Sequence, residues 1–399
     1  MAHIVTGIDI GTLAIKIVVA EYNPKNESLV VRANIKRRSR GLRRGHIVDG
    51  DELANALREA VADAEREARV PIKRALLAVG GSSLLTYVGL GSVAVAKADA
   101  EVTTLDVERV IAESEKRIAD QPNIKIIHAI PLEFKLDGKK IVGRPIGMKG
   151  GKLEVKTLFI TAGSGHFKEL LRAVDASGVT IEDCIAAPVA ESVVALSQLQ
   201  KNAGSVLVNI GAETVSAAVF EENNIRSMQV FPLGGTDITN DIALGFKIPL
   251  AEAEAVKLGQ FSGAVKYPQK KVDEIIEARL SDIFELVDGH LSKTGRSGLL
   301  PAGIILTGGS ALLPAIEKSA KVNLRLPASI GYTNIPRNSE TDGEKGARTK
   351  NDILRSPEWT ISYGLCALGV DDSLEESLGI KLMRSTKGRI SRFLQQFLP

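Results

Sequence analysis

The sequence predicts a two-lobed α/β protein, and three observations carry this prediction. At about 100–200 residues per domain, the 399 residues predict two or three domains. Two β-rich runs flank a tight turn in IVTGIDIGTLAIKIVVA at 4–20. The same strand–turn–strand pattern returns in SVLVNIGAETVSAAVF at 205–220. A repeated unit at the head of each half predicts a duplicated core with a cleft between two lobes.

The composition is that of an ordinary globular protein. Hydrophobic residues make up 44% and charged residues 25% of the chain, which excludes global disorder. The 51 Lys and Arg residues nearly balance the 48 Asp and Glu residues, so we expect no nucleic-acid partner. Cys184, Cys366 and five scattered histidines support neither a disulfide framework nor a zinc motif. Since the sequence shows no signal peptide and no apolar run of about 20 residues, we expect a cytoplasmic protein without a transmembrane span.

Helical and strand-like runs alternate through the first half. Seven cations crowd residues 32–44, which favours a solvated loop or hairpin, with an anionic partner as the alternative. An apolar stripe predicts a helix over 51–68 with Asp51 as its cap, and a strand follows at 74–80. Strand-like runs between 84 and 160 surround one helix, capped by Thr104, which predicts a small α+β insert. The remaining predicted elements are a helix at 166–177, a strand ending at Pro188 and a helix at 189–200.

The second half continues mainly with helices after its strand–turn–strand unit. Helical spacing predicts helices at 237–244, 251–259 and 271–291. The run AGIILTGG predicts a strand at 302–309 that leads into a helix at 311–320. The polar segment 336–352 predicts an exposed loop, and a short polar tail at 371–388 precedes a final helix.

Three glycine-containing turns follow apolar strands, and together they indicate a nucleotide. They are GIDIGT at 7–12, NIGAET at 209–214 and LTGGS at 306–310. Glycine lets the backbone approach a phosphate and point N–H groups at it, and Thr12 and Thr214 add hydroxyl donors. Asp9 is the type of carboxylate that holds Mg²⁺ through water, and Gly308 with Gly309 would lie flat against a nucleoside. An ordinary tight β-turn is the alternative for each turn taken alone.

This order of turns resembles that of the superfamily of actin, sugar kinases and heat-shock ATPases, which implies two actin/ribonuclease-H-like lobes. Further segments narrow the resemblance to the FtsA family of bacterial cell-division proteins. They are RGLRRGHIVD at 40–49, the insert segment at 127–161, FPLGGTDITNDIALGFKIPLAEAEAVKLGQ at 231–260 and LLPAGIILTGGSALLPAIE at 299–317. The similarity covers essentially the whole chain, and the segment at 127–161 is the most specific because actin has no such module.

The resemblance implies how the chain divides into domains. The first actin-like lobe takes residues 1–81 and 163–200 and is interrupted by the FtsA-type insert at 82–162. The second lobe takes residues 201–245 and 301–372, with a small helical subdomain at 246–300. Residues 373–399 are then a linker and an amphipathic membrane helix.

The resemblance also implies ATP or ADP in the cleft, with Mg²⁺ held through water near Asp9. The implied first phosphate loop is Asp9, Gly11 and Thr12, and the second is Gly211 and Thr214. Gly234 and Gly235 would lie beneath the nucleotide, and Glu254 and Lys257 belong to the E-x-x-K helix. The adenosine motif is Gly308, Gly309 and Ser310. An exposed helix pair is the alternative for Glu254 and Lys257.

Departures from the superfamily pattern weaken the expectation of catalysis. The second phosphate loop, normally D-x-G-x-G-T, has an amide at Asn209 and a carboxylate at Glu213. The amide cannot supply the charge that organises metal-bound water, and Glu213 would place a negative charge beside the phosphates. Ala187 precedes Pro188 where related ATPases often place Glu or Gln to position the attacking water. Since phosphoryl transfer needs both supports, we expect nucleotide binding with weak or absent hydrolysis and no confident catalytic residue.

An amphipathic helix is predicted at the end of the chain. Its apolar positions recur at helical spacing, and arginines flank them. These residues are Arg389, Ile390, Arg392, Phe393, Leu394, Phe397 and Leu398. The helix is too short to span a bilayer but fits an in-plane helix on an anionic membrane, as in FtsA-like proteins. A helix docked on the protein's own core is the alternative.

The leading hypothesis that the resemblance implies is an actin-like adaptor. It would bind nucleotide, polymerise on the cytoplasmic face of the cell membrane at the division site, and anchor the C-terminal peptide of FtsZ there, alongside other division proteins. The alternatives are a PilM-like pilus-assembly actin homologue and a sugar-kinase-type phosphotransferase. Asn209 and Glu213 oppose a kinase, since a kinase needs intact phosphate-binding machinery.

Overall fold

The computed structural model describes residues 3–23, 28–97, 99–118, 121–260, 267–333 and 355–370. The first lobe is built on a five-stranded sheet in the order β11-β6-β1-β2-β3. Its strands are β1 (His3–Ile10), β2 (Ala14–Asn23), β3 (Ser28–Arg38), β6 (Arg74–Val79) and β11 (Thr180–Ala186). β1 to β3 form an antiparallel meander, whereas β6 lies parallel to both β1 and β11. Because β1 and β2 are buried along most of their length, they form the centre of this lobe.

Two pairs of helices pack on the first sheet. α1 (Gly50–Ala68) packs with α3 (Ser164–Ala176), and α4 (Ala187–Ala195) packs with α10 (Thr360–Val370). α1 is capped by Asp49, whose side chain accepts the Glu52 N–H at 2.9 Å. The predicted cap, Asp51, instead lies in the first turn, where a carboxylate favours the positive end of the helix dipole.

The cationic segment at 32–44 is the end of β3 followed by a short hairpin, β4 (Leu42–Arg43) and β5 (His46–Ile47). Several of its cations pair within the protein. Arg37 contacts both Glu59 and Asp63 on α1, and Arg40 Nη2 lies 3.0 Å from Glu59. These ion pairs therefore connect β3 and the start of the hairpin to α1. The same side chains are also partly exposed to solvent.

The insert is a four-stranded sheet in the order β7-β10-β8-β9, covered by α2 (Thr104–Lys116). Its strands are β7 (Leu85–Ala94), β8 (Ile124–Leu136), β9 (Lys139–Lys140) and β10 (Lys152–Gly163). It has a small core of its own, around Val102, Val110, Leu153 and Val155. The α2 cap is Thr103, one residue before the predicted Thr104, because Thr103 and Asp106 form a reciprocal capping box.

The second lobe repeats the plan of the first with a five-stranded sheet in the order β14-β13-β12-β15-β16. Its strands are β12 (Ser205–Ile210), β13 (Val215–Glu221), β14 (Asn224–Phe231), β15 (Ile304–Thr307) and β16 (Ala328–Ile330). Its helices are α5 (Gln198–Ala203), α6 (Gly235–Phe246), α7 (Leu250–Lys257), α8 (Gln269–Lys293) and α9 (Ile316–Leu324). The two-lobed α/β fold with an insert in the first lobe is thus confirmed, while the domain limits given above stay predictions.

Several element predictions need correction. The helix predicted over 189–200 is two helices, α4 and α5, because Leu196 is extended and Ser197 caps a new helix with Gln200. The helix predicted at 311–320 starts only at Ile316. The sequence did not predict β3, β14, β16 or α10. The loop at 336–352, the tail at 371–388 and the amphipathic helix at 389–398 lie outside the described residues.

Candidate functional site

A cleft of about 640 Å³ lies between the lobes, and the glycine turns of both halves line it. All but one of the cofactor-binding residues predicted from the sequence contribute to its wall, as do Ala187 and Asn209. These wall residues are Asp9, Gly11, Thr12, Gly211, Thr214, Gly235, Glu254, Lys257, Gly308, Gly309 and Ser310. Gly234 lies just behind the wall. Residues far apart in the sequence therefore meet in one cavity, which is where ligands commonly bind.

The two strand–turn–strand units close in the same way. The Gly11 N–H donates to the Ala14 carbonyl at 3.1 Å, and the Gly211 N–H donates to the Thr214 carbonyl at 2.9 Å. In each turn, therefore, one glycine N–H is used in the hydrogen bond that closes the turn. The turn residues Thr12 and Ala212 between these anchors line the cleft, so two similar backbone loops approach it from opposite lobes.

Close backbone contacts explain the glycines of the second lobe. A Cβ on Gly234 would lie 2.7 Å from the carbonyl oxygens of both Gly211 and Ala212. Gly308 has φ +86, and its Cβ would lie 2.5 Å from Asn209 Oδ1. A Cβ on Gly309, in contrast, would meet nothing within 4 Å. The floor of the cleft is therefore tightly packed, whereas the surface above Gly309 is open to a flat ligand.

Lys16 is a cleft residue that the sequence reasoning did not single out. Its Nζ lies 3.4 Å from Asp9 Oδ2, and both side chains are mostly buried. The hairpin register places Asp9 directly opposite Lys16, so counting back across the turn could have found the pair. The ion pair balances the Asp9 charge and adds a cation beside the first turn.

Lys257 is bound within the second lobe. Its Nζ donates to the Gly235 carbonyl at 3.0 Å and to Thr239 Oγ1 at 2.9 Å, and it lies 2.7 Å from Glu254 Oε2. The Lys257 side chain is only 7% exposed, but that of Glu254 is 40% exposed. Lys257 therefore holds the first turn of α6 in place, and Glu254 is the more accessible member of the pair.

Glu213 does not point into the cleft, contrary to the sequence expectation. Its carboxylate accepts the main-chain N–H of Arg44, in the β4–β5 hairpin of the first lobe. Gly45 in the same hairpin packs closely on Gly81 and on Thr214. The hairpin thus holds the Glu213 carboxylate outside the cleft wall and links the two lobes.

Glu191 is the most unusual residue near the cleft, and the sequence reasoning missed it. It is completely buried, and its Oε1 accepts hydrogen bonds from Asn209 Nδ2 at 2.7 Å and Thr360 Oγ1 at 2.8 Å. Burial, with a small contribution from the charge of Asp9, raises the pKa of Glu191 to about 7, although hydrogen bonds from Thr307, Thr360 and Asn209 oppose the rise. The available signal was its spacing, since Glu191 follows Ala187 by four residues on one face of α4.

His128 joins the insert to the start of α4. Its Nε2 accepts the Ala186 N–H at 3.0 Å, and burial lowers the pKa of His128 to about 4. The folded protein therefore keeps His128 neutral, whereas the unfolded chain protonates it near pH 6.5. Unfolding takes up a proton between these two values, so stability falls as the pH falls through this window.

We expect the free energy of unfolding to decrease by about 2 kcal/mol from this group between pH 7 and pH 5. His128→Gln keeps an acceptor for Ala186 but cannot be protonated, so its urea-unfolding midpoint should depend less on pH than that of the parent. His3→Gln changes an exposed strand end and is the control. Equal pH slopes for the parent and His128→Gln would contradict this account.

Comparison with known proteins extends these observations. A family model described as "Cell division protein FtsA" matches residues 206–364, and one described as "SHS2 domain inserted in FTSA" matches residues 81–161. The cell division protein FtsA of Bacillus subtilis is 33% identical over 347 residues, covering 82% of this chain and 78% of the relative. Both lobes and the insert therefore have counterparts in one family.

Solved structures show the same architecture at lower identity. A PilM–PilN type IV pilus biogenesis complex superposes with a TM-score of 0.67 at 20% identity, covering 92% of this chain and 98% of that one. MreB5 of Spiroplasma citri, in a structure described as bound to ADP, has a TM-score of 0.52 at 14% identity, covering 94% and 98%. At these identities the likeness shows the fold alone.

Two lobes built on related sheets around a cleft of glycine turns define a protein of the actin-like ATPase class. Within that class the sequence matches decide the family, since identity to the pilus protein is low and supports only a shared fold. The chain belongs to the FtsA family of cell-division proteins.

Proposed function

We propose that this chain is a nucleotide-binding adaptor of bacterial cell division. It binds ATP or ADP between its lobes, forms filaments with itself, and anchors the C-terminal peptide of FtsZ at the cytoplasmic face of the cell membrane at the division site. Membership of the FtsA family supports the role in division. The interlobe cleft, lined by both glycine turns and by Gly308 and Gly309, carries the nucleotide proposal.

The residues present fit a nucleotide. The open surface above Gly309 suits a flat purine, and the Thr12 and Thr214 hydroxyls and the turn backbones suit phosphate oxygens. Glu254 and Ser310 would contact the nucleoside, and Asp9 would hold the waters of Mg²⁺. The magnesium ion would supply the charge neutralisation that a bound triphosphate requires. The engagement of Glu213 by the hairpin supports this proposal, because it holds that carboxylate outside the cleft wall and so reduces the expected repulsion.

The membrane part of the proposal rests on the apolar face at 390–398 and its flanking arginines, which lie outside the described residues. No helix in the described ranges up to residue 370 is long and apolar enough to cross a membrane. Each cation near an anionic surface contributes about 1 kcal/mol, so an in-plane helix with several Arg and Lys residues nearby fits a peripheral anchor.

We expect ATP with Mg²⁺ to bind but to be hydrolysed very slowly or not at all. Ala187 cannot orient an attacking water, and the loss of one transition-state contact often costs about 10²–10³ in rate. The measurement is isothermal calorimetry with ATP and Mg²⁺, alongside release of phosphate from the same preparation. Brisk hydrolysis would refute the proposed non-catalytic role, and absence of binding would refute the nucleotide site.

A further inference from the structure

Glu191 and Asn209 form a buried carboxylate–amide pair directly beneath the cleft. Asn209 lines the cleft at the end of β12, and Glu191 lies behind it on α4 with no exposed surface. One carboxylate oxygen, Oε1, accepts from Asn209 and from Thr360. The other, Oε2, is also buried and accepts no bond of ordinary geometry from the described residues, although the Thr307 hydroxyl lies close enough to favour the ionised carboxylate. Burying a carboxyl group whose hydrogen bonds are concentrated on one oxygen costs folding free energy.

The contact also determines which way the Asn209 amide is turned. Only the NH₂ group can face a carboxylate oxygen, so Nδ2 lies 2.7 Å from Glu191. The amide oxygen is consequently directed to the other side, where it lies against Gly308 in the cleft floor. Hydrogen bonding to a carboxylate also polarises the amide and makes its oxygen a stronger acceptor.

An aspartate at position 209 would be incompatible with Glu191. Two carboxylates would then meet at hydrogen-bond distance in a buried site, where like charges cannot both remain ionised. A carboxyl group at 191 therefore requires an uncharged hydrogen-bond donor, such as the amide, at 209. The second phosphate loop lacks the aspartate of the D-x-G-x-G-T pattern, and the neighbouring helix α4 carries a carboxyl group instead.

We propose that Glu191 is a positioning residue that takes the place of the missing loop carboxylate. It orients the Asn209 amide. Its negative charge lies behind Asn209, which itself lines the cleft, and attracts the Mg²⁺ that accompanies a nucleotide. This inference rests on the proposed nucleotide function. It requires no direct contact between Glu191 and the ligand, because Asn209 lies between them.

The inference is tested with Glu191→Gln, Asn209→Asp and the double variant, all compared with the full-length parent at pH 8. Calorimetry measures ATP binding once with Mg²⁺ and once with EDTA, and thermal unfolding gives a second readout. Glu115→Gln removes one charge from an exposed position of α2 and is the control. Glu191→Gln retains the size of the side chain and an oxygen for Asn209 and Thr360, so it removes the charge alone.

We expect Glu191→Gln to weaken ATP binding about tenfold in the presence of Mg²⁺. In EDTA the same substitution should not weaken binding, because the charge of Glu191 then only repels the phosphates. Asn209→Asp alone should lower both the melting temperature and the affinity, and the double variant should restore both. A residue that only holds the lobes together would alter binding equally with and without Mg²⁺.

Different failures have different meanings. If Glu191→Gln binds ATP with Mg²⁺ as tightly as the parent does, the positioning role is overturned. The role is also overturned if Asn209→Asp is as stable as the double variant. A parent that binds no nucleotide under either condition refutes the proposed nucleotide site, and this inference with it. If the parent binds ATP but the effects of the substitutions at 191 and 209 simply add, the inference about Glu191 is refuted and the nucleotide site is not.

Discussion

Phe393→Glu is expected to abolish binding of the full-length chain to anionic vesicles. Phe393 occupies the middle of the predicted apolar face at 390–398, where an in-plane helix inserts its side chains into the acyl boundary. A charged side chain at membrane depth costs about 3 kcal/mol, which is comparable to the whole affinity of so short a helix. Because arginines contribute to the attraction, binding by the parent should also weaken as salt rises.

The measurement is co-sedimentation with vesicles that contain anionic lipid. Gln395→Glu is the matched control, because it adds the same charge on the polar side of the same helix and should retain much more binding. Removal of residues 388–399 should eliminate binding altogether. If Phe393→Glu sediments with vesicles as well as the parent does, the helix is not the anchor, and docking on the protein's own core becomes the better explanation.

Gly309→Leu is expected to eliminate detectable nucleotide binding. A side chain at this position would project into open space above the cleft floor, since no atom lies within 4 Å of the Cβ position. The substitution therefore leaves the fold unstrained but occupies the space proposed for the nucleoside. Overpacking of this kind costs about 3 kcal/mol, which corresponds to a factor of about 100 in Kd.

Gly289→Leu is the matched control, because Gly289 on α8 also has open space around its Cβ position but lies away from the cleft wall. Calorimetry with ATP and Mg²⁺ should give parental affinity for Gly289→Leu and no measurable heat for Gly309→Leu. Circular dichroism should show both variants folded. Parental affinity in Gly309→Leu would mean that the nucleotide does not lie on this surface.

The elements that the sequence predicted well have strong local patterns. The paired units at 4–20 and 205–220 alternate β-rich runs with glycine turns, and α1 and α8 have long apolar stripes. β14 was missed because its burial is irregular along the strand and its pairing with β13 decides its conformation. α10 lacks a polar face, since it is almost fully buried between the first sheet and α4. Such a helix shows no amphipathic period in the sequence.

The sequence by itself determined the duplicated plan, the insert and the glycine turns, because these depend on short-range spacing and on residue types with special backbone freedom. Only the tertiary structure decided what the charged residues near those turns do. Glu213 was expected beside the phosphates, but a hairpin from the other lobe takes its carboxylate. Glu191 is one polar residue in a largely apolar helix, and its meaning appears only when α4 is packed against β12 and α10. The direction and partners of a charged side chain depend on chain segments that are distant in sequence. The local sequence pattern does not predict which segments will pack against it.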